Sequence, residues 1–493
     1  MPSIYKAIFL FFISSSCVLG QSFFEKIKYQ AEAGVYLSTS GKTPFLTRAN
    51  QYGIVPLESS VVAIKGGIYK DYDSTFNSNN QLHKFGFGFG VNAIGNVGKV
   101  NEVLLPEAYL KVRYGAFELS AGRKREIIGL VDTVLTMGSY IWSGNALPIP
   151  KVQISIPNYV PILGKGLLSI KGLYSDGFFD NGAIRNFYLH QKNLYARIGK
   201  PNWKIKIYSG FNHQVQWGGK PATPYIDKTT GLLVTTFPSD FNTYLKVVAG
   251  TSLNKGDNGV GTGIPVNEAM NRAGNHLGTI DIATEINFKK FDIFLYRQNI
   301  YEDGSLFYLN NISDGLTGIS FRRKNAVKGI VRVCFEYLHT TNQGGSLQDR
   351  YDDIPQLRGA DNYFNNGVYT DGWTYGGNTI GTPLLTPINS VDKKLLANKD
   401  LEKYSTYYIL NRVEAFSLAI EGKGKNINYY TKLIFNKNLG TYQVPINAKQ
   451  FSFLYKVKYN FPQFSLISYL SFDEGTLFPS SLGGYLGIQR TFF

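Results

Sequence analysis

A chain of 493 residues with a mean hydropathy of −0.13 is not a bundle of membrane-spanning helices. Thirty-four Tyr, 34 Phe and 52 Gly against 3 Met fit instead a β-rich chain with aromatic girdles and glycine turns. The formal charge is +16, and +15 once Lys6, the single charge in residues 1–20, is removed. In an exported protein that balance favours acidic glycans, phosphates or lipopolysaccharide over nucleic acid as partners, and periplasm-facing or lipid-contacting lysines account for it equally well.

The first twenty residues read as a secretory signal peptide. Lys6 supplies the positive region, Ala7–Ile13 the apolar one, and Val18-Leu19-Gly20 precedes an expected cut at Gln21. The mature unit is then 21–493. It contains no run of 18 apolar residues, so no helical span is expected. Cys334 is its single cysteine, which leaves no intrachain disulfide and no cysteine-based metal site.

Along the chain, apolar and polar residues alternate in stretches of about ten, the length and period of a strand crossing a membrane. Candidate strands fall near 28–38, 60–70, 83–95, 103–114, 116–124, 151–157, 166–175, 187–198, 203–212, 279–288, 290–299, 315–323, 328–339, 406–421, 425–437, 448–459, 463–472 and 482–493. Phe85, Phe87 and Phe89 oppose Gly86, Gly88 and Gly90, and Ile205 and Ile207 oppose Lys204 and Lys206. Short turns at 114–116, 200–202, 288–290, 324–327, 422–424 and 460–462 alternate with long connections at 125–150, 213–278, 300–314 and 340–405. That asymmetry predicts an all-β fold: an antiparallel transmembrane β-barrel of about 18 strands in the outer membrane, with long extracellular loops that occlude the lumen. Residues 240–250 would break the strand parity, so a short helix is expected there. Ser239 would cap it, Phe241, Tyr244, Leu245 and Val248 would share a face, and Gly250 would end it. The terminal Phe492–Phe493 suits a barrel handed to the outer-membrane insertion machinery.

Several ordered stretches carry a family resemblance. They include Asn50-Gln51-Tyr52-Gly53, Ala121-Gly122-Arg123-Lys124-Arg125, Trp142-Ser143-Gly144-Asn145-Ala146-Leu147-Pro148-Ile149-Pro150, Trp217-Gly218-Gly219 and Gly274-Asn275-His276-Leu277-Gly278. Asp361-Asn362-Tyr363-Phe364-Asn365-Asn366-Gly367, Gly372-Trp373 and Gly381-Thr382-Pro383 follow. Taken in order, the chain resembles the capsule assembly Wzi family in its Bacteroidetes-type branch. The resemblance implies an 18-stranded barrel with a largely occluded lumen and a lectin-like role, holding exported capsular polysaccharide at the cell surface. Relatives carry a helical plug, and no long amphipathic helix precedes residue 60 here.

Candidate sugar contacts are Trp373, Tyr363, Tyr369, Arg350 and Arg358 in the 340–405 connection, with Trp217 and His213 in 213–278. Rings stack on apolar sugar faces, and Arg pairs with sugar carboxylates. The alternative for the same aromatics, and the favoured one, is that they pack the loops onto one another as a lid. Arg123 and Arg125 either bind an acidic sugar or a lipopolysaccharide phosphate, or form lumen ion pairs with Glu126, Glu302 or Asp303. No catalytic role is expected. The carboxylate pairs Asp352-Asp353, Glu302-Asp303 and Asp473-Glu474 are sequence neighbours, which does not hold two carboxylates across a bond. The five histidines lack metal-ligand spacing, and no cofactor is expected. A diffusion porin with a basic lumen is the competing expectation.

Overall fold

The structure, a computed structural model, describes residues 27–72, 85–180, 182–227, 231–253, 272–302, 304–347, 350–351, 354–355, 359–397 and 407–492. The expected signal peptide therefore lies outside the described residues, as do Phe493, Asp303, Asp352, Asp353 and Arg358. Among the described residues, 18 strands form one antiparallel sheet. They are β1 Ile27–Ser38, β2 Val61–Lys70, β3 Phe85–Gly98, β4 Glu102–Tyr114, β5 Phe117–Arg123, β6 Lys151–Leu163, β7 Leu168–Phe178, β8 Tyr188–Ile198 and β9 Ile205–Trp217. The second half runs β10 Asn275–Asn287, β11 Phe291–Tyr301, β12 Gly315–Arg323, β13 Gly329–His339, β14 Val413–Lys423, β15 Ile427–Gly440, β16 Pro445–Asn460, β17 Ser465–Gly475 and β18 Ser481–Phe492. Each strand pairs with its sequence neighbours. β18 returns to β1 in register from Tyr29↔Phe492 to Ser38↔Gly483, which closes the barrel and leaves no open edge.

Alternation sets the two faces of the wall. Ile64, Ile68, Leu110, Leu119, Ile154, Leu194, Ile207, Phe211, Ile282, Phe335, Leu470 and Ile488 stand exposed on the outside. The short-turn end carries a ring of exposed aromatics: Tyr29, Phe85, Tyr114, Phe117, Trp203, Tyr459, Phe461, Phe464 and Phe492. Such a band with an aromatic rim is the surface that lipid requires. The inward face is polar and largely neutralised by pairs such as Lys65–Glu32 at 2.7 Å, Lys206–Glu285 at 2.9 Å and Lys124–Glu118 at 2.8 Å.

Three local expectations change. β6 runs on through Pro157 and Pro161 rather than stopping at 157, because the ladder is irregular between Ile156 and Val160 and again beyond Pro161. A proline without a donor is tolerated at such a break. The helix is real (α2, Phe241–Ala249), but Asp240 caps it, not Ser239: its carboxylate accepts from Thr243 N at 3.0 Å. Gly250 ends the helix at φ 67°, in the left-handed region where glycine is favoured. Thr243 and Val247 face the barrel, whereas Phe241 and Leu245 point away from it. Before residue 60, the described helix is the four-residue α1, Phe45–Arg48.

Sidedness follows from turn length. The start of β1, the end of β18 and the short turns share one end, periplasmic in outer-membrane barrels. In a Cys334→Ser background, a cysteine at exposed Asn389 should react with a membrane-impermeant maleimide on intact cells, and one at exposed Gln463 only after lysis. The reverse pattern would invert the orientation.

Candidate functional site

The connection between β5 and β6 turns into the barrel. Leu130 N donates to Asp281 Oδ2 at 2.8 Å on β10, and Tyr140 N donates to Gln298 Oε1 at 3.0 Å on β11. Thr136 and Met137 N bind the Glu336 carboxylate of β13 at 2.7 and 2.5 Å. At its tip, Asp132 accepts from Arg332 Nη1 at 2.8 Å and Ser320 Oγ at 2.5 Å, with Arg322 Nε at 3.4 Å. Arg322 and Arg332 pair across β12 and β13 beside the short turn that joins them. The connection therefore reaches from the extracellular rim to the periplasmic third of the lumen.

A second connection, residues 340–412, meets the first. Ser143 N donates to Ile380 O, Thr382 N to Tyr140 O, and Asn145 Nδ2 to Thr379 O, at 3.0–3.1 Å. Gly381 permits this approach, since a Cβ there would overlap the Tyr140 carbonyl. Leu135, Met137, Tyr140, Ile141, Leu384, Leu385 and Tyr408 are buried in the shared core with inward-facing Leu316, Leu338, Ala415 and Ala419. The rim holds the assembly through Asp314, which accepts from Tyr363 OH at 2.8 Å, His339 Nδ1 at 2.8 Å and Gln343 N at 2.7 Å. Burial, with Asp314 beside it, pushes the Tyr363 hydroxyl well above its ordinary pKa, so it remains a donor.

The expected sugar contacts divide by position. Trp373 is 1 % exposed and Tyr363 0 %, so the geometry fits their packing role. Tyr369 is buried between Phe187 and Phe237 and donates to Gly218 O at 3.2 Å. Trp217 and His213 are not in a loop: β9 extends to Trp217 because outward Val215 and Trp217 pack under α2, with Val247 and Leu253. There His213 Nε2 meets His276 Nδ1 at 2.8 Å. Arg123 reaches Tyr375 OH at 2.8 Å beside exposed Gly376 and Gly377. Arg125 pairs with Glu107 at 3.5 Å and Asn92 at 2.9 Å, not with Glu126 or Glu302. Glu126 instead takes Lys151 at 2.9 Å, and Glu302 takes Phe364 N at 3.0 Å. Arg350 lies in a two-residue strand paired with Ile354–Pro355. Asp132, Asp281, Gln298, Asp314 and Glu336 are not among the candidate contacts that the sequence offers. The strand members Asp281, Gln298 and Glu336 occupy alternating inward positions.

Two cavities flank the inserted tip. One, about 280 Å³, lies against β15 and β16 and includes Asn50, Gln51, Tyr52, Tyr430, Lys432 and Lys456. The other, about 250 Å³, lies against β6–β8 and includes Gln153, Lys171 and Asn193. A larger apolar groove of about 530 Å³, between Leu295, Phe335, Phe416 and Phe435, is on the outer wall and faces lipid.

A closed antiparallel barrel with a lipid-facing band, an aromatic rim and connections folded inward is an outer-membrane β-barrel protein. The family model described as capsule assembly protein Wzi matches residues 57–386, and the chain belongs to that family. No curated protein sequence matches it. Among solved structures, Pseudomonas aeruginosa OccK5 (OpdH) is similar at 9 % identity, with 95 % of this chain and 98 % of that chain covered and a TM-score of 0.42. Pseudomonas aeruginosa OccK10 (OpdN) aligns at 8 % identity over 94 % and 97 %, TM-score 0.41. The anion-selective porin from Comamonas acidovorans aligns at 9 % over 94 % and 98 %, TM-score 0.37. These likenesses are too distant to bear on function.

Proposed function

We propose that this capsule assembly outer-membrane protein holds surface polysaccharide at its extracellular mouth, without catalysis, on a barrel closed to free diffusion. The observation that carries the reading is the tip of the β5–β6 connection, anchored by Asp132 to Arg332 and Arg322 near the far end of the lumen. A chain segment bonded along that length supports a platform better than a channel. The contact surface is then the mouth around Arg123, Gly376 and Gly377, with buried Tyr375 holding the Arg123 guanidinium. Trp373, Tyr363 and Tyr369 act as the scaffold beneath it.

A charge-assisted contact contributes about 1.5–3 kcal/mol, so Arg123→Ala should lower glycan retention on cells roughly tenfold or more. If the glycan is acidic, retention should also weaken with salt. Binding of purified protein to a glycan array at two salt concentrations, paired with planar-bilayer recordings, tests the reading. Steady open-channel current together with no glycan binding would replace it with a diffusion porin.

A further inference from the structure

We propose that the cavity beside Lys456 is a binding site for a single oxyanion, carried either as a sugar carboxylate or as a phosphate. It lies in the short-turn half of the lumen, apart from the mouth, and does not depend on the surface-retention reading.

Lys456 sits four residues before β16 ends at Asn460, facing inward. Its ammonium lies 4.6 Å from the Tyr469 ring centroid and 5.7 Å from that of Tyr430. Among the described residues it has no carboxylate and no hydrogen-bond acceptor. The nearby acids are already satisfied. Glu32 is bound by Lys65, Tyr485 and Gln489, and Asp473 by Ser452 and Phe45 N. Lys432 lines the same cavity and makes one hydrogen bond, to the Thr136 carbonyl at 2.5 Å. An ammonium has three donors, so two remain.

Two lysines, Lys432 and Lys456, therefore border one space of about 280 Å³, and no carboxylate lines it among the described residues. That size approaches the lower end of ligand sites, about 300 Å³. Like charges in a confined, partly dehydrated space repel, and a bound anion relieves the repulsion. The remaining wall suits a hydroxylated ligand: Asn50 and Gln51 supply amides, and Tyr52 and Tyr430 supply rings with hydroxyls.

The test uses the full-length mature barrel in non-ionic detergent and isothermal calorimetry with three probes: trigalacturonate, a neutral galactose trimer and inorganic phosphate. We expect an anion to bind with a salt-dependent affinity and the neutral trimer not to bind. Tighter binding of trigalacturonate assigns a sugar carboxylate, and tighter binding of phosphate assigns a phosphate. Lys456 makes no hydrogen bond among the described residues, so Lys456→Gln should fold normally, checked by heat-modifiable mobility, and lose tenfold or more in affinity. Lys456→Arg should keep most of it. Equal binding of neutral and acidic trimers, no binding of either anion, or unchanged affinity in folded Lys456→Gln would overturn the proposal. Glycan retention on whole cells is scored separately, so failure of the mouth and failure of the cavity are distinguishable.

Discussion

Trp373→Ala is expected to release the long 340–412 connection while leaving the barrel wall intact. The indole is 1 % exposed and lies 6.4 Å from the Phe179 ring. Its backbone joins three partners: its N–H donates to Phe364 O, and its carbonyl accepts from Ile380 N and Tyr408 OH. Deleting a buried Trp side chain costs about 3–5 kcal/mol. The 18 strand pairings do not involve this residue, so the loss should be local. Hydrogen exchange should accelerate across 360–385, and protease should cut there, while heat-modifiable mobility persists. Bilayer current should rise if this connection blocks the lumen. Unchanged protection with weakened glycan retention would return Trp373 to direct sugar contact.

Asp132→Ala should detach the tip of the inserted β5–β6 connection. The variant loses both arginine contacts, the Ser320 hydrogen bond and the cap on Leu135 N at 3.1 Å. It also leaves two arginines side by side without their shared anion. Breaking a buried pair in this way costs about 3–5 kcal/mol. The low end applies here, because the Arg322 and Arg332 side chains keep 30 % and 24 % exposure and are partly screened. Exchange protection should fall across 127–141 and stay near wild type in β12 and β13. A double-mutant cycle with Arg332→Ala should be strongly non-additive. Additive effects, or full protection in the single variant, would mean that the tip is held by its apolar neighbours instead.

The barrel was legible in the sequence because lipid and lumen impose opposite demands on successive residues. Phe85, Phe87 and Phe89 against Gly86, Gly88 and Gly90 show that alternation without any knowledge of contacts. Turn lengths then distinguish the two ends, since tight hairpins such as 288–290 suit one side and long connections the other. The parity that excluded a strand at 240–250 also located α2, whose Gly250 stop is a local property of one residue.

The site was less legible. Aromatic and basic residues in a long connection look the same whether they face solvent or a core. Trp373, Tyr363 and Tyr369 are composed as a sugar platform would be, yet they lie under the mouth because the 340–412 connection doubles back onto the wall. Trp217 and His213 look like loop residues until α2 covers the outer face of β9. Arg125 is matched to Glu107, 18 positions away along the chain but one strand across in the barrel. What the sequence by itself determined was the wall: strand number, facing and sidedness follow from period and turn length, which are local. What only the tertiary structure decided was the content of the lumen. Which acids meet which cations there depends on long-range closure, which brings Asp132 to Arg332 and sets Lys432 and Lys456 against one cavity.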